Sequence, residues 1–260
     1  MIRLLLAALL LLVPDVARAQ SLVTSGRITW GLAATFPPFE YVEDGKPVGF
    51  DIDLAEALAK KLALTSNVTS FEFKGLIPAL LGKRIDAIIS GMYINADRQA
   101  VADFVPYVRV GNQIVVRHGN PLGLTDPASL CGHRVAAPVG TAFEMAANKA
   151  LAACLTAGKP SLTLLSLPGT TTCALALTQD RADAIIVSTP TAAALLHTTP
   201  DAYANAGAPY DNDTEVGIAI GKDNPALKTA LDKAMHDVVA DGTYAALLTK
   251  WNLPADSSAF

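Results

Sequence analysis

The chain has 260 residues, 51% of them hydrophobic and 17% charged, with 20 Lys and Arg against 24 Asp and Glu for a formal net charge of −4. That apolar content can supply packed cores for one large domain or two of ordinary size, which excludes intrinsic disorder. The mild acidity and scattered cations exclude nucleic acid and an anionic membrane surface as docking partners, since either would need a basic patch.

The N-terminus carries Arg3, an apolar run from Leu4 to Val13 and the small-residue pattern Ala17-Arg18-Ala19. This reads as a secretory leader over residues 1–19, cleaved after Ala19. The run is roughly half of the ~20 apolar residues a membrane span needs, and no Cys follows to take a lipid. The expectation is a soluble, monomeric periplasmic protein. Export implies an oxidising compartment in which Cys131, Cys154 and Cys173 can form one bridge. Spacing alone leaves the pair open. Cys131 and Cys154 flank a single helical segment and are favoured, which leaves Cys173, in an apolar helical run, as a buried thiol.

Short Ile/Val-rich runs alternate with Ala/Leu-rich helical stretches, the pattern of an α/β protein with largely parallel sheets. Strands are predicted over 28–33, 87–90, 113–117, 134–137, 162–166, 184–187 and 216–220, and helices over 54–64, 142–155, 191–197 and 225–240. The segment Arg84-Ile85-Asp86-Ala87-Ile88-Ile89-Ser90 is echoed by Arg181-Ala182-Asp183-Ala184-Ile185-Ile186-Val187-Ser188. Two similarly built lobes explain the echo. Because ligands of open α/β sheets gather beyond the carboxyl ends of strands, Ser90 and Ser188 are expected to face one crevice.

In Gly49-Phe50-Asp51-Ile52-Asp53-Leu54 the acids read as helix-start residues, with Asp53 and Glu56 spaced as a capping box. His118, His133, His197 and His236 have no zinc-ligand spacing, and neither a nucleophile elbow nor a dinucleotide fingerprint is present, so no metal, cofactor or catalytic residue is expected.

The segments Gly49-Phe50-Asp51-Ile52-Asp53-Leu54, Gly75-Leu76-Ile77-Pro78-Ala79-Leu80 and Ser90-Gly91-Met92-Tyr93-Ile94-Asn95-Ala96-Asp97-Arg98 occur in the order found in family-3 solute-binding proteins, the polar amino acid receptors of ABC transporters. The likeness continues through Asp103-Phe104-Val105-Pro106-Tyr107, Val139-Gly140-Thr141 and Ala240-Asp241-Gly242-Thr243-Tyr244, over nearly the whole mature chain. The chain thus resembles a two-lobed periplasmic binding protein of type II. The resemblance implies lobe 1 over 20–110 and 217–260, lobe 2 over 111–216, and hinge closure on a small carboxylate-bearing ligand handed to an ABC permease in the inner membrane.

By the same resemblance Arg98 holds the ligand's α-carboxylate, for which a planar guanidinium suits two parallel charge-assisted hydrogen bonds. Its structural alternative is a salt bridge with Asp97 or Asp103. Gly140, Thr141 and Ala142, in a turn before a helix, would offer backbone N–H groups to the same anion. Phe36 and Phe73 match positions that line the ligand's side-chain slot, and Ser90, Gly91 and Tyr93 stand beside the clamp. Two departures affect the ligand. Tyr93 replaces a smaller hydroxyl, and Ser188 stands where amino acid receptors place an aspartate for the ammonium, a contact worth about 1.5–3 kcal/mol. With Ala33 where some relatives carry an acid, the expected ligand is an aromatic or aliphatic amino acid, or an organic acid without an ammonium. The periplasmic cyclohexadienyl dehydratases share the Ser-Gly-x-x-Ile-Asn-x-x-Arg segment, but the stretch Ser188-Thr189-Pro190-Thr191-Ala192 has no general acid of the kind they carry there.

Overall fold

The computed structural model describes residues 21–260, so the leader and its cleavage after Ala19 lie outside the described residues. The chain runs β1 (Arg27–Leu32), β2 (Thr35–Phe36), β3 (Glu40–Glu43), β4 (Lys46–Val48), α1 (Phe50–Lys61), β5 (Thr65–Ser70), α2 (Leu76–Leu81), β6 (Ala87–Ile88), α3 (Ala96–Val101) and β7 (Ala102–Arg117). It continues through β8 (Arg134–Pro138), α4 (Ala142–Thr156), β9 (Thr163–Leu167), α5 (Thr170–Thr178), β10 (Ala184–Ser188), α6 (Thr189–Thr198), β11 (Tyr203–Gly221), α7 (Pro225–Ala240) and α8 (Thr243–Lys250).

Eight strands form one sheet in the order β5-β1-β6-β11-β7-β10-β8-β9, and β2, β3 and β4 form a small antiparallel meander. Strands β5, β1 and β6 are mutually parallel, as are β10, β8 and β9. Between these trios lies the antiparallel pair β7 and β11. The first half of β7 pairs with the end of β11 beside β6, and its second half, from Asn112, lies between the start of β11 and β10. The register of the pair shifts between Ala206 and Tyr210, between Tyr210 and Thr214, and between Val216 and Gly217. Bulges of this kind bend a strand and raise its local twist, so one sheet here changes direction between its two trios.

All seven predicted strands are present, but 113–117 and 216–220 are ends of strands more than twice as long. Tyr210-Asp211-Asn212-Asp213-Thr214-Glu215 has no apolar alternation, and its strand conformation comes from pairing with β7. The polar β5 (Thr-Ser-Asn-Val-Thr-Ser) escapes prediction for the same reason.

The predicted capping role of Asp53 and Glu56 is corrected. Helix α1 starts at Phe50 after Gly49 and has no side-chain cap. Its first N–H groups, of Phe50 and Asp51, donate to the carbonyls of Pro38 and Phe39 at 3.0 and 2.9 Å, so backbone replaces the cap. Gly49 sits at φ 137°, and a Cβ there would come 2.1 Å from the Phe39 carbonyl oxygen. Asp53, inside the helix, instead accepts from Lys250 Nζ at 2.7 Å and Trp251 Nε1 at 2.6 Å, tying the C-terminal segment to α1.

Cys131 and Cys154 are bridged, with Cα atoms 5.6 Å apart, and Cys173 is a free, fully buried thiol on α5 whose pKa burial pushes up to about 12. The bridge fastens the last turn of α4 to the segment entering β8. Its 23-residue separation corresponds to about 3 kcal/mol of loop-closure stabilisation. Replacing both cysteines by Ala should lower the melting temperature by about 6–12 °C at this chain length, and adding a reductant to the native protein should do the same, measured by thermal unfolding.

Candidate functional site

A closed cavity of ≈ 20 Å³ lies between the β1–β6 side of the sheet and the β8–β10 side. Ala33, Phe36, Phe73, Gly91, Tyr93 and Arg98 come from the first; Thr141, Ala142, Phe143 and Thr170 come from the second. The space leaves room for about one water molecule, so a larger solute enters only if the two sides part.

Arg98 is held by its helix. Asn95 caps α3 by accepting from the Arg98 N–H at 2.9 Å, which fixes the backbone from which the guanidinium extends. Nη1 donates to the Tyr93 carbonyl at 2.6 Å and Nη2 to the Gly140 carbonyl at 3.1 Å, on the opposite side of the cavity. The guanidinium lies 5.3 Å from the Phe73 ring centroid. It contacts no carboxylate among the described residues, and Asp103 pairs with Lys222 at 2.8 Å, so the salt-bridge alternative with Asp103 is not realised. Burial pulls the Arg98 pKa down to about 10. Two carbonyl dipoles therefore solvate a cation whose charge is not neutralised.

Phe36 and Phe143 meet across the cavity with ring centroids 5.6 Å apart, and Tyr93 packs edge-on to Phe143 at 5.2 Å. Phe36 and Phe73 both line the cavity, and so does Phe143, which the sequence does not mark. Its only signal is its position in the first turn of the helix that follows Gly140-Thr141. Gly91 sits at φ 49°, and a Cβ there would lie 2.5 Å from the Phe36 ring, so this glycine lets the chain pass directly against the aromatic wall.

Three predicted positions are placed differently. Ser90 and Ser188 are fully buried, do not line the cavity and do not face a common crevice. Ser90 Oγ accepts from the Ala33 N–H at 2.9 Å and donates to Glu40 Oε1 at 2.7 Å. Ser188 caps α6, accepting from the Thr191 N–H at 3.2 Å and donating to Thr191 Oγ1 at 2.8 Å. Ser188 is consumed by its own turn, and Ser90 by partners 57 and 50 positions earlier in the chain. The Gly140 N–H, expected to meet an anion, donates at 2.8 Å to Glu144 Oε2, because a carboxylate in the first turn of α4 satisfies that helix's own free donors. Gly140 presents its carbonyl to the site instead, and Thr141, buried and capping α4, lines the cavity with Ala142.

The cavity floor rests on a buried acid pair, Asp51, whose sequence context reads only as a helix start, and Glu40, which no local pattern marks. Asp51 accepts from the Gly91 N–H at 2.7 Å and from Tyr107 Oη at 2.8 Å, pinning the loop that carries Gly91. Both Asp51 and Glu40 are fully buried. Burial, reinforced by Asp51, holds the Glu40 carboxyl well above its usual range, and burial raises Asp51 to about 6 against the pull of the Gly91 and Tyr107 hydrogen bonds. Each carboxyl of the pair therefore holds its proton to a higher pH than a free carboxyl does.

The model of the bacterial extracellular solute-binding proteins, family 3, matches residues 28–254. The chain is 31% identical over 228 residues to the L-cystine-binding protein TcyJ of Escherichia coli (strain K12), covering 87% of this chain and 82% of that one. It is 30% identical over 230 residues to the ABC transporter arginine-binding protein 1 of the same strain, covering 86% and 90%. Among solved structures it resembles an ancestral arginine-binding protein bound to glutamine, with a TM-score of 0.81 and 32% identity over 89% of this chain and all of that one. It also resembles the arginine-binding protein of T. maritima, in a mutant form, with a TM-score of 0.79 and 32% identity over 88% and 96%.

A carboxyl whose folded pKa is raised binds its proton more tightly in the native state, so its contribution to stability is lost as pH rises from the unfolded value near 4 through the folded value. For Asp51 that window ends at about 6. Glu40→Gln keeps an acceptor for Ser90 and a donor for Asp51 without an ionisable proton. The melting temperature of this variant relative to the native protein should rise steadily between pH 4 and pH 7; a constant difference would show that the pair is not protonated.

Proposed function

The chain belongs to the family-3 bacterial extracellular solute-binding proteins, and we propose that it captures an amino acid or related small carboxylate and delivers it to an ABC permease in the inner membrane. The observation that carries this reading is Arg98, a desolvated guanidinium that reaches carbonyls on both sides of the cavity and meets no carboxylate among the described residues. A ligand carboxylate supplies the missing charge and the bidentate geometry that the two carbonyls only approximate. Phe36, Phe73, Tyr93 and Phe143 give an apolar, flat-walled slot for the rest of the molecule. The ionisable side chains of the cavity wall are Arg98 and Tyr93, suited to holding an anion, and the relatives are named as binding proteins, so the reading is capture and release.

In this reading residues 20–110 and 217–260 form one lobe, 111–216 form the other, and β7 and β11 bend at their register shifts as the hinge. Opening separates Arg98 from Gly140 and Phe36 from Phe143; closure on a ligand restores contacts from both lobes, and the permease recognises the closed form. The protein acts as a monomer in the periplasm after cleavage behind Ala19.

A thermal-shift screen of the mature protein against the amino acids and a panel of organic acids tests the substrate class, because a ligand bound by the native form raises the melting temperature. Arg98→Ala should weaken the best ligand at least tenfold in calorimetric titration, while the melting temperature of the ligand-free protein stays nearly unchanged. Undiminished affinity in the variant would remove the clamp.

A further inference from the structure

The two walls of the cavity also meet at one point beside it. The atoms nearest to a Cβ placed on Gly169 all belong to the Thr35 side chain, on the opposite wall: Cβ and Oγ1 at 2.6 Å and Cγ2 at 3.1 Å. Gly169 is buried in the turn Pro168-Gly169-Thr170 that opens α5. Pro168 and Thr170 line the cavity from this side, as Thr35 and Phe36 of β2 do from the other. Gly140 approaches the first wall in the same way, with a Cβ 3.1 Å from Lys74 Cβ, but its φ of 78° calls for glycine on backbone grounds alone.

Neither backbone nor capping accounts for the glycine at position 169. Its φ of −166° and ψ of 172° are extended values open to any residue. It is the N-cap of α5, where Ser, Thr, Asp or Asn is favoured, yet the helix has no side-chain cap from it. The Thr172 hydroxyl takes over, accepting from the Gly169 N–H at 3.1 Å and donating to the Gly169 carbonyl at 2.7 Å. What remains is the space that Thr35 occupies. Thr35 is fixed by its N–H, which donates to the Ala33 carbonyl at 2.6 Å, and by its pairing with Tyr41 on β3. A rotamer change would move Oγ1 and Cγ2 and leave Cβ where it is.

We infer that Gly169 is a positioning residue for ligand capture: its missing side chain sets how far the two walls close on each other, and a larger residue there holds the site ajar. Carbon atoms in contact sit about 3.5–4 Å apart, so a methyl at 169 keeps the walls about 1 Å further apart at this point. The bond from Arg98 Nη2 to the Gly140 carbonyl, 3.1 Å in the closed form, then passes beyond hydrogen-bond range, and Phe36 draws away from Phe143. A ligand held from both sides loses contacts to one of them. The inference rests on the hinge-closure reading given above and holds whichever small carboxylate is bound.

Oxidation of the ligand-free Thr35→Cys/Gly169→Cys variant with copper phenanthroline, followed by peptide mapping, tests the contact without a ligand. A disulfide needs Cβ atoms about 3.5–4.5 Å apart, a separation the walls reach just before full closure. A bridge between positions 35 and 169 should form in most molecules, and its absence would overturn the inference. Calorimetric titration with L-leucine, L-phenylalanine and L-arginine measures the consequence. Gly169→Ala should weaken roughly tenfold whichever of these the native protein binds, the loss expected from about one charge-assisted hydrogen bond. In a Thr35→Gly background, which removes the crowding atoms, the same substitution should cost no more than about twofold. A loss that persists in that background would mean damage to α5, and no loss in either would mean that closure stops short of the contact; each result overturns the inference. Failure of the wider reading looks different. Native protein that binds none of the three amino acids would count against the substrate class while the crosslink still decides the contact, and undiminished binding by Arg98→Ala would remove the clamp while the dependence on Thr35 stays.

Discussion

The antiparallel pairing of β7 with β11 is the constraint on which the molecule depends. Each strand belongs to both halves of the sheet, and every site residue is positioned from one half or the other. The first halves of the site, Phe36, Gly91, Tyr93 and Arg98, hang from connections after β1, β2 and β6; Thr141, Ala142 and Phe143 hang from the connection after β8. The pairing breaks register three times where the two sides meet, and there a bulged ribbon bends at low cost in hydrogen bonds. In the proposed hinge closure, bending of that ribbon changes the distance between the two walls of the cavity.

Charge in the site is left uncompensated where several other charges are paired. Asp103, Asp180, Asp183 and Asp241 all have basic partners, and burial raises the pKa of both Glu40 and Asp51. Arg98, the cation of the cavity wall, is solvated by two carbonyl oxygens. A dipole loses its hold on a cation faster with distance than a full charge does, so this arrangement keeps the guanidinium oriented while leaving most of the electrostatic gain to an incoming anion. The Glu144 carboxylate at the start of α4 satisfies the Gly140 N–H of its own helix terminus, which leaves Arg98 as the uncompensated charge of the cavity.

Aromatic contacts supply the complementary apolar term. Phe36 stacks on Phe39 at 5.1 Å on its own side and meets Phe143 on the other, so one ring is anchored in the core and still free to receive a ligand when the sides part. The close approach of Gly91 to Phe36, held from below by Asp51 and Tyr107, keeps that wall flat.

The α/β class, the seven core strands, the four long helices and the favoured cysteine pair are legible in the sequence, and Arg98, Phe36, Phe73, Tyr93 and Thr141, singled out by resemblance, line one cavity. These are legible because hydrophobic period, helix signals and an ordered set of family motifs are local properties of the chain. Tertiary structure decided what local pattern could not carry. Asp51 and Glu40 are eleven positions apart and become a buried acid pair only when α1 docks on β3. Asp53 looks like a helix cap and is a tether for Lys250 and Trp251. Ser188 and the Gly140 N–H are used by their own turns and Ser90 by Ala33 and Glu40, whereas Phe143 enters the cavity from a helix far along the chain. A hydrogen-bonding group has one geometry's worth of partners, and which partner it takes is settled by distance in the folded molecule, a quantity the order of residues does not contain.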